Sequence, residues 1–110
     1  MTKTGITFTL ILILITGQKL MAEEKSYWID VRGADEFAQI HVDNAINIPH
    51  TEIANRITEV TADKNADIRV YCRSGRRSGL AKEALNALGY NKVTNEGGLK
   101  DVLPSADLPE

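Results

Sequence analysis

The chain has 110 residues, 13 basic and 15 acidic, for a formal charge of −2. A mildly acidic protein of this size has no general affinity for nucleic acid or anionic membrane, so any positive charge that matters is local. Its single cysteine excludes a disulfide framework within the chain.

Lys3, the apolar run ITFTLILILIT (Ile6 to Thr16), the polar GQK and then LMAEE follow the order of a secretory signal peptide. The run is 11 residues long, whereas a membrane helix needs roughly 20. Cleavage after Ala22 is predicted, giving a signal peptide over 1–22 and a mature domain over 23–110. An uncleaved anchor is the alternative, because Leu20 is large for its place before the cut and Lys19 lies close to it. No cysteine is near the site to carry a lipid. Loss of Lys3 and Lys19 would take the charge to −4, and the 88 residues left make one small domain with one core.

YWIDV (Tyr27 to Val31) reads as a strand, followed by a short helix around ADEFAQ. AINI (Ala45 to Ile48) is a second strand, stopped by Pro49. Thr51 is placed to cap a helix in which Ile53, Ile57 and Val60 recur at helical spacing. IRVYC (Ile68 to Cys72) is a third strand. From Ser78 onward, Leu80, Ala81, Ala84, Leu85 and Leu88 make one apolar helical face, and Gly89 ends that helix. KVTN (Lys92 to Asn95) is a fourth strand, GGL opens a short turn or helix, and the tail beyond Leu103 is polar and broken by proline. Strand and helix alternate as in βαβ crossovers, which implies an α/β fold with a small, mostly parallel sheet flanked by helices. Ligands of such sheets gather beyond the carboxyl ends of the strands.

The stretch YCRSGRRSG (Tyr71 to Gly79) lies at such a place. Cys72 closes the third strand and Ser78 reads as the N-cap of the next helix, with Arg73, Ser74, Gly75, Arg76 and Arg77 between them. Gly75 permits a tight turn whose N–H groups point inward as an anion nest, and the helix start adds partial positive charge. Three of the six arginines crowd the same turn. Together these features are expected to lower the thiol from its free pKa of about 8.5. A Walker phosphate loop needs a Gly-Lys pair, which is absent. The cysteine phosphatases and arsenate reductases, with five residues between cysteine and arginine, would need arginine at 78, where serine stands. His41 and His50 are the only histidines, and their spacing to Cys72 matches no zinc pattern, so no metal is expected.

CRSGRRS resembles the active-site loop of the rhodanese (thiosulfate sulfurtransferase) family. WIDVRGADEF, with Asp30, Arg32, Glu36 and Phe37, is similar to the family's first signature; HVDNAINIP, with His41, Ala45, Asn47 and Pro49, is similar to its second. NEGGL resembles the glycine pair after the fourth strand, and the likeness runs over roughly 27–103. Ile40 and Asn44 stand where the family often has glycine; asparagine tolerates left-handed angles, whereas Ile40 demands a different turn. After cleavage at Ala22 the mature chain would begin close to the first signature, so an N-terminally trimmed rhodanese domain is expected.

The resemblance implies that Cys72 attacks the outer sulfur of thiosulfate, releases sulfite and keeps that sulfur as a persulfide. Cyanide or a thiol then takes it, with no cofactor. Arg73, Ser74, Gly75, Arg76, Arg77 and Ser78 are the expected substrate-binding residues, with Arg77 equally suited to bracing the loop. Asp30 and Arg32 are expected to form an internal ion pair or loop brace, and Gly97 and Gly98 to let backbone approach the pocket. Other readings of the loop are a persulfide carrier with little turnover and a cysteine-dependent phosphatase or arsenate reductase. The expected partners are small anions, without nucleic acid or stable membrane association after cleavage. The expected state is a monomer, in the periplasm or secreted.

Overall fold

The computed structural model describes residues 25–104; the expected signal peptide and residues 105–110 of the tail lie outside the described residues. Four strands, β1 (Ser26–Asp30), β2 (Ile46–Asn47), β3 (Asp67–Tyr71) and β4 (Val93–Asn95), form one sheet in the order β2-β1-β3-β4, with every pairing parallel. Between and after them lie α1 (Ala34–Gln39), α2 (Ile53–Arg56) with a 3-10 turn (Ile57–Glu59), α3 (Arg76–Ala87) and α4 (Leu99–Val102). All four expected strands are present. Ile29 sits opposite both Ile46 and Val70, and Val70 opposite Asn95, so the loops leaving the strands emerge along one edge. β1 and β3 each end one residue earlier than expected, and the Cys72 N–H bonds to the Gly97 carbonyl (3.1 Å) outside the strand ladder.

The core joins Ile29, Ile68 and Val70 of the sheet to Ile53, Ile57, Ala81, Leu85 and Tyr90. α3 stops as expected: Gly89 takes φ 98°, its N–H bonds to Asn86 O (3.0 Å), and Tyr90 N–H reaches back to Leu85 O (3.1 Å). Two helical expectations need correction. Glu52, not Thr51, precedes α2, because a turn from the Pro49 carbonyl to Glu52 N–H (2.8 Å) carries the chain one residue further before it coils. On α3 the buried positions are Ser78, Ala81 and Leu85, while Leu80 and Leu88 are 44% and 42% exposed. At 100° per residue Leu80 points well away from that stripe, and Leu88 lies on its margin.

Asn44 adopts φ 68°, the left-handed angle that asparagine tolerates, and Ile40 is extended at φ −161°. The Ile40 carbonyl accepts from Arg32 Nη2 (2.6 Å). Arg32 also grips Asp30 through Nε (3.0 Å to each oxygen) and Nη2 (2.6 Å), and both residues are buried. Asn47 Nδ2 donates to the carbonyls of Asp30 and Arg32, 3.0 Å each, tying the edge strand to the same corner. Every buried side-chain polar atom among the described residues has a partner. Asp30→Ala would strand the Arg32 charge in this corner, and a buried charge left alone costs about 3–5 kcal/mol. Urea unfolding of the variant is expected to show a loss of that order; a change under about 1 kcal/mol would contradict the pair's importance.

Candidate active site

The chain leaves β3 at Cys72 and is strapped at once to the segment after β4. Cys72 N–H bonds to Gly97 O, Leu99 N–H bonds to Arg73 O (3.2 Å), and Ser74 forms an antiparallel bridge with Gly98. The straps need a bare backbone: a methyl group on Gly98 would overlap the Arg73 carbonyl. Gly97 and Gly98 thus lie against the loop. Gly75 then turns the chain at φ 96° directly into α3.

That turn alters the part expected of Ser78. The helix starts at Arg76 with Gly75 as N-cap, so Ser78 is its third residue and not its cap. Gly75 offers no side chain to accept the first N–H groups, and Cys72 takes that place. Its Sγ receives Gly75 N–H at 3.0 Å and Ser78 N–H at 3.4 Å. The sulfur therefore occupies the position of a capping oxygen, where the helix start favours negative charge.

Burial pushes the Cys72 thiol up; the Ser78 hydroxyl, able to donate to a thiolate, and hydrogen bonds from the N–H groups of Ser78, Ser74 and Gly75 outweigh it, and the pKa falls below the ordinary value. The leading contributions are hydrogen bonds to sulfur, whereas the sequence pointed equally to arginine charge. The hydroxyl lies 3.5 Å from Sγ, and its one proton has two nearer acceptors, Gly75 O (3.0 Å) and Asn95 Oδ1 (2.7 Å).

The loop arginines differ in setting. Arg77 meets Glu36 of α1 in a two-pronged pair, Nη1 to Oε1 at 2.8 Å and Nη2 to Oε2 at 3.0 Å. Arg77, a burial penalty notwithstanding, holds the Glu36 carboxyl down at about 2, helped by the Gly33 N–H. Arg73, Ser74 and Arg76 lie on the exposed side of the loop, while Cys72 itself has no exposed surface. Asp30 and Arg32 pair behind the site, and His41 Nδ1 contacts the Phe37 carbonyl at 2.7 Å. A separate hollow of about 760 Å³ lies at the opposite, N-terminal ends of β1 and β3, among Lys25, Tyr27, Asp67, Arg69 and Lys92. It is remote from the strand ends that carry Cys72.

Two residues in this arrangement had no role assigned from sequence. Glu36 stood only as part of a signature, although an acidic residue in a helix's first turn facing an arginine-rich loop is a recognisable pairing signal. Asn95 stood only as the end of a strand and the first letter of NEGGL. Its place just before the glycine pair was the available clue.

These features define an α/β domain with a strand-end thiol in a backbone cradle. The chain belongs to the rhodanese family: the model of the rhodanese-like domain matches residues 16–103. It is 47% identical over 93 residues to the thiosulfate sulfurtransferase PspE of Escherichia coli (strain K12), covering 84% of this chain and 88% of that protein. A sulfurtransferase of Allochromatium vinosum is 36% identical over 83 residues, covering 74% and 76% respectively. Among solved structures, a rhodanese with anions from E. coli superposes with a TM-score of 0.69 at 49% identity, covering 72% of this chain and 93% of that one.

Thiolate absorbance followed against pH is expected to show Cys72 ionising below the free-thiol value of about 8.5; an inflection at or above that value would contradict the cradle. The Glu36–Arg77 pair has its own signature in stability. The folded Glu36 pKa is depressed from 4.5 to about 2, so the pair's contribution is complete above 4.5 and is lost as pH falls toward 2. Glu36→Gln should therefore lower the melting temperature near neutral pH, with the gap to wild type closing across that window.

Proposed function

We propose that the protein is a thiosulfate sulfurtransferase working through a persulfide on Cys72. The observation that carries this is the convergence of Gly75 and Ser78 N–H groups on the Cys72 sulfur at 3.0 and 3.4 Å. The likeness to PspE across most of both chains supports the same reading.

The thiolate attacks the outer sulfur of thiosulfate; a new S–S bond forms, the old one breaks, and its electron pair leaves with sulfite. The transferred sulfur sits as a persulfide in a cradle already arranged for an anion, so little reorganisation is needed at the moment of reaction. Cyanide or a thiolate then attacks that outer sulfur, and the S–S pair returns to Cys72 as thiolate. This two-step covalent route predicts ping-pong kinetics. Arg73 and Arg76 draw the dianion to the loop, and Arg77 braces the loop through Glu36. Since Cys72 is covered, the outer loop residues must shift for thiosulfate to touch the sulfur. Export under the signal peptide would place the reaction outside the cytoplasm, and the domain is proposed to act as a monomer.

Protein treated with thiosulfate should gain one sulfur atom by mass spectrometry and form thiocyanate from cyanide. In Cys72→Ser both should vanish, with thiocyanate formation down at least about a thousandfold, the scale on which nucleophile removal acts. Sulfur gain without turnover would identify a carrier instead. Aryl-phosphate cleavage without thiocyanate would overturn the proposal.

A further inference from the structure

At the end of β4, Asn95 lays its side-chain amide across the start of α3. Its Oδ1 accepts Gly97 N–H at 2.9 Å, and its Nδ2 donates to the Gly75 carbonyl at 3.0 Å. One partner can only donate and the other only accept, so the two ends of the amide are assigned without ambiguity. Ser78 Oγ stands 2.7 Å from Asn95 Oδ1. Two oxygens that close share a proton, and the amide oxygen carries none, so the Ser78 hydroxyl proton points at Asn95. The competing acceptors are less well served. The Gly75 carbonyl already takes Gly79 N–H (3.0 Å) as well as Asn95 Nδ2, and Cys72 Sγ is 3.5 Å away.

We propose that Asn95 is a positioning residue that holds the Ser78 hydroxyl turned away from Cys72, so that the sulfur meets an oxygen lone pair there and not a proton. In the thiol state, S–H has this lone pair as its acceptor. In the thiolate state the sulfur relies on backbone N–H groups, and the hydroxyl turns to it only by giving up Asn95. The consequence is chemical. Every donor added to a thiolate lowers its basicity and its nucleophilicity with it, and the fastest attacking thiol has a pKa near ambient pH. Asn95 thus limits how far the cradle acidifies Cys72.

The charged groups around the sulfur are Arg77 with Glu36 of α1, the Asp30–Arg32 pair at the end of β1, and Arg73 and Arg76 in the loop. From the β4 side come Asp101 of α4, which accepts Gly98 N–H, and Glu96, paired with Arg69. Neither Asn95→Leu nor Ser78→Ala alters any of them.

The inference rests on Cys72 being the nucleophile of the proposed function, but it is read from thiolate absorbance, so it and sulfur transfer can fail separately. The test compares the pH inflection of Cys72 in wild type, Asn95→Leu, Ser78→Ala and the double variant. Leucine has a similar shape without the acceptor, and the amide's two backbone partners are exposed enough for water to replace it. Asn95→Leu is expected to lower the inflection by about half a pH unit, roughly a threefold gain in thiolate well below it. The double variant should match Ser78→Ala. An upward shift in Asn95→Leu, no shift, or an equal shift with and without Ser78, overturns the proposal. Should Asn95→Leu lack a cooperative melt, Asn95→Asp carries the test: it should raise the inflection more when Ser78 is present than when it is alanine, and equal rises refute it.

Discussion

A helix capped by a glycine has no cap side chain with which to satisfy its first N–H groups, and the N-cap of α3 is Gly75. The organisation of the site follows from where those groups go. They turn toward Cys72 Sγ, which is fixed in place because the Cys72 N–H is itself bonded to the strap after β4. One atom thereby serves as helix cap and as the proposed reacting group. Its ionisation strengthens the cap, since hydrogen bonds to a charged acceptor are roughly twice as strong as neutral ones. Reactivity and local stability therefore rise together at this position.

The corner that holds the loop is polar, with one ion pair buried and one partly exposed. α1 contributes no buried residue, so burial of apolar surface does little to fix it. It is held at its end by Arg32 on the Ile40 carbonyl and on its flank by Glu36 on Arg77. The two ion pairs differ in grade. Asp30–Arg32 is buried and hydrogen-bonded on every side, so its value lies chiefly in what breaking it would expose. Glu36–Arg77 is partly exposed and two-pronged, the geometry that makes an arginine–carboxylate pair directional. Together they set α1 against the Cys72 loop.

Most of the fold was legible because it depends on local patterns. Strand-forming runs at Tyr27, Ile68 and Val93, the helix stop at Gly89 and the left-handed Asn44 each follow from residue type. What was hidden depends on contacts across the chain. Serine at position 78 looks like an N-cap in one dimension; only the left-handed angle of Gly75 starts the helix earlier and moves Ser78 inside it. The exposure of Leu80 reflects a stripe on α3 that is narrower than its apolar pattern, since only Ser78, Ala81 and Leu85 are fully buried on that helix. The reach of Asn95 into the start of α3 spans 17 positions of sequence to Ser78, and no local rule connects them.

The spacing from cysteine to arginine acquires a structural meaning from the same geometry. Residue 78, six positions after Cys72, is the one whose N–H and side chain face the sulfur. An arginine there would direct its charge into the cradle, the arrangement that a five-residue gap demands. Arg77 is one position earlier, turned by about 100° around the helix, and its guanidinium meets Glu36. The four-residue gap thus turns Arg77 toward Glu36 and spends it on bracing, while the N–H groups of Gly75 and Ser78 meet the sulfur. Such a cradle suits one added sulfur atom carrying a single charge.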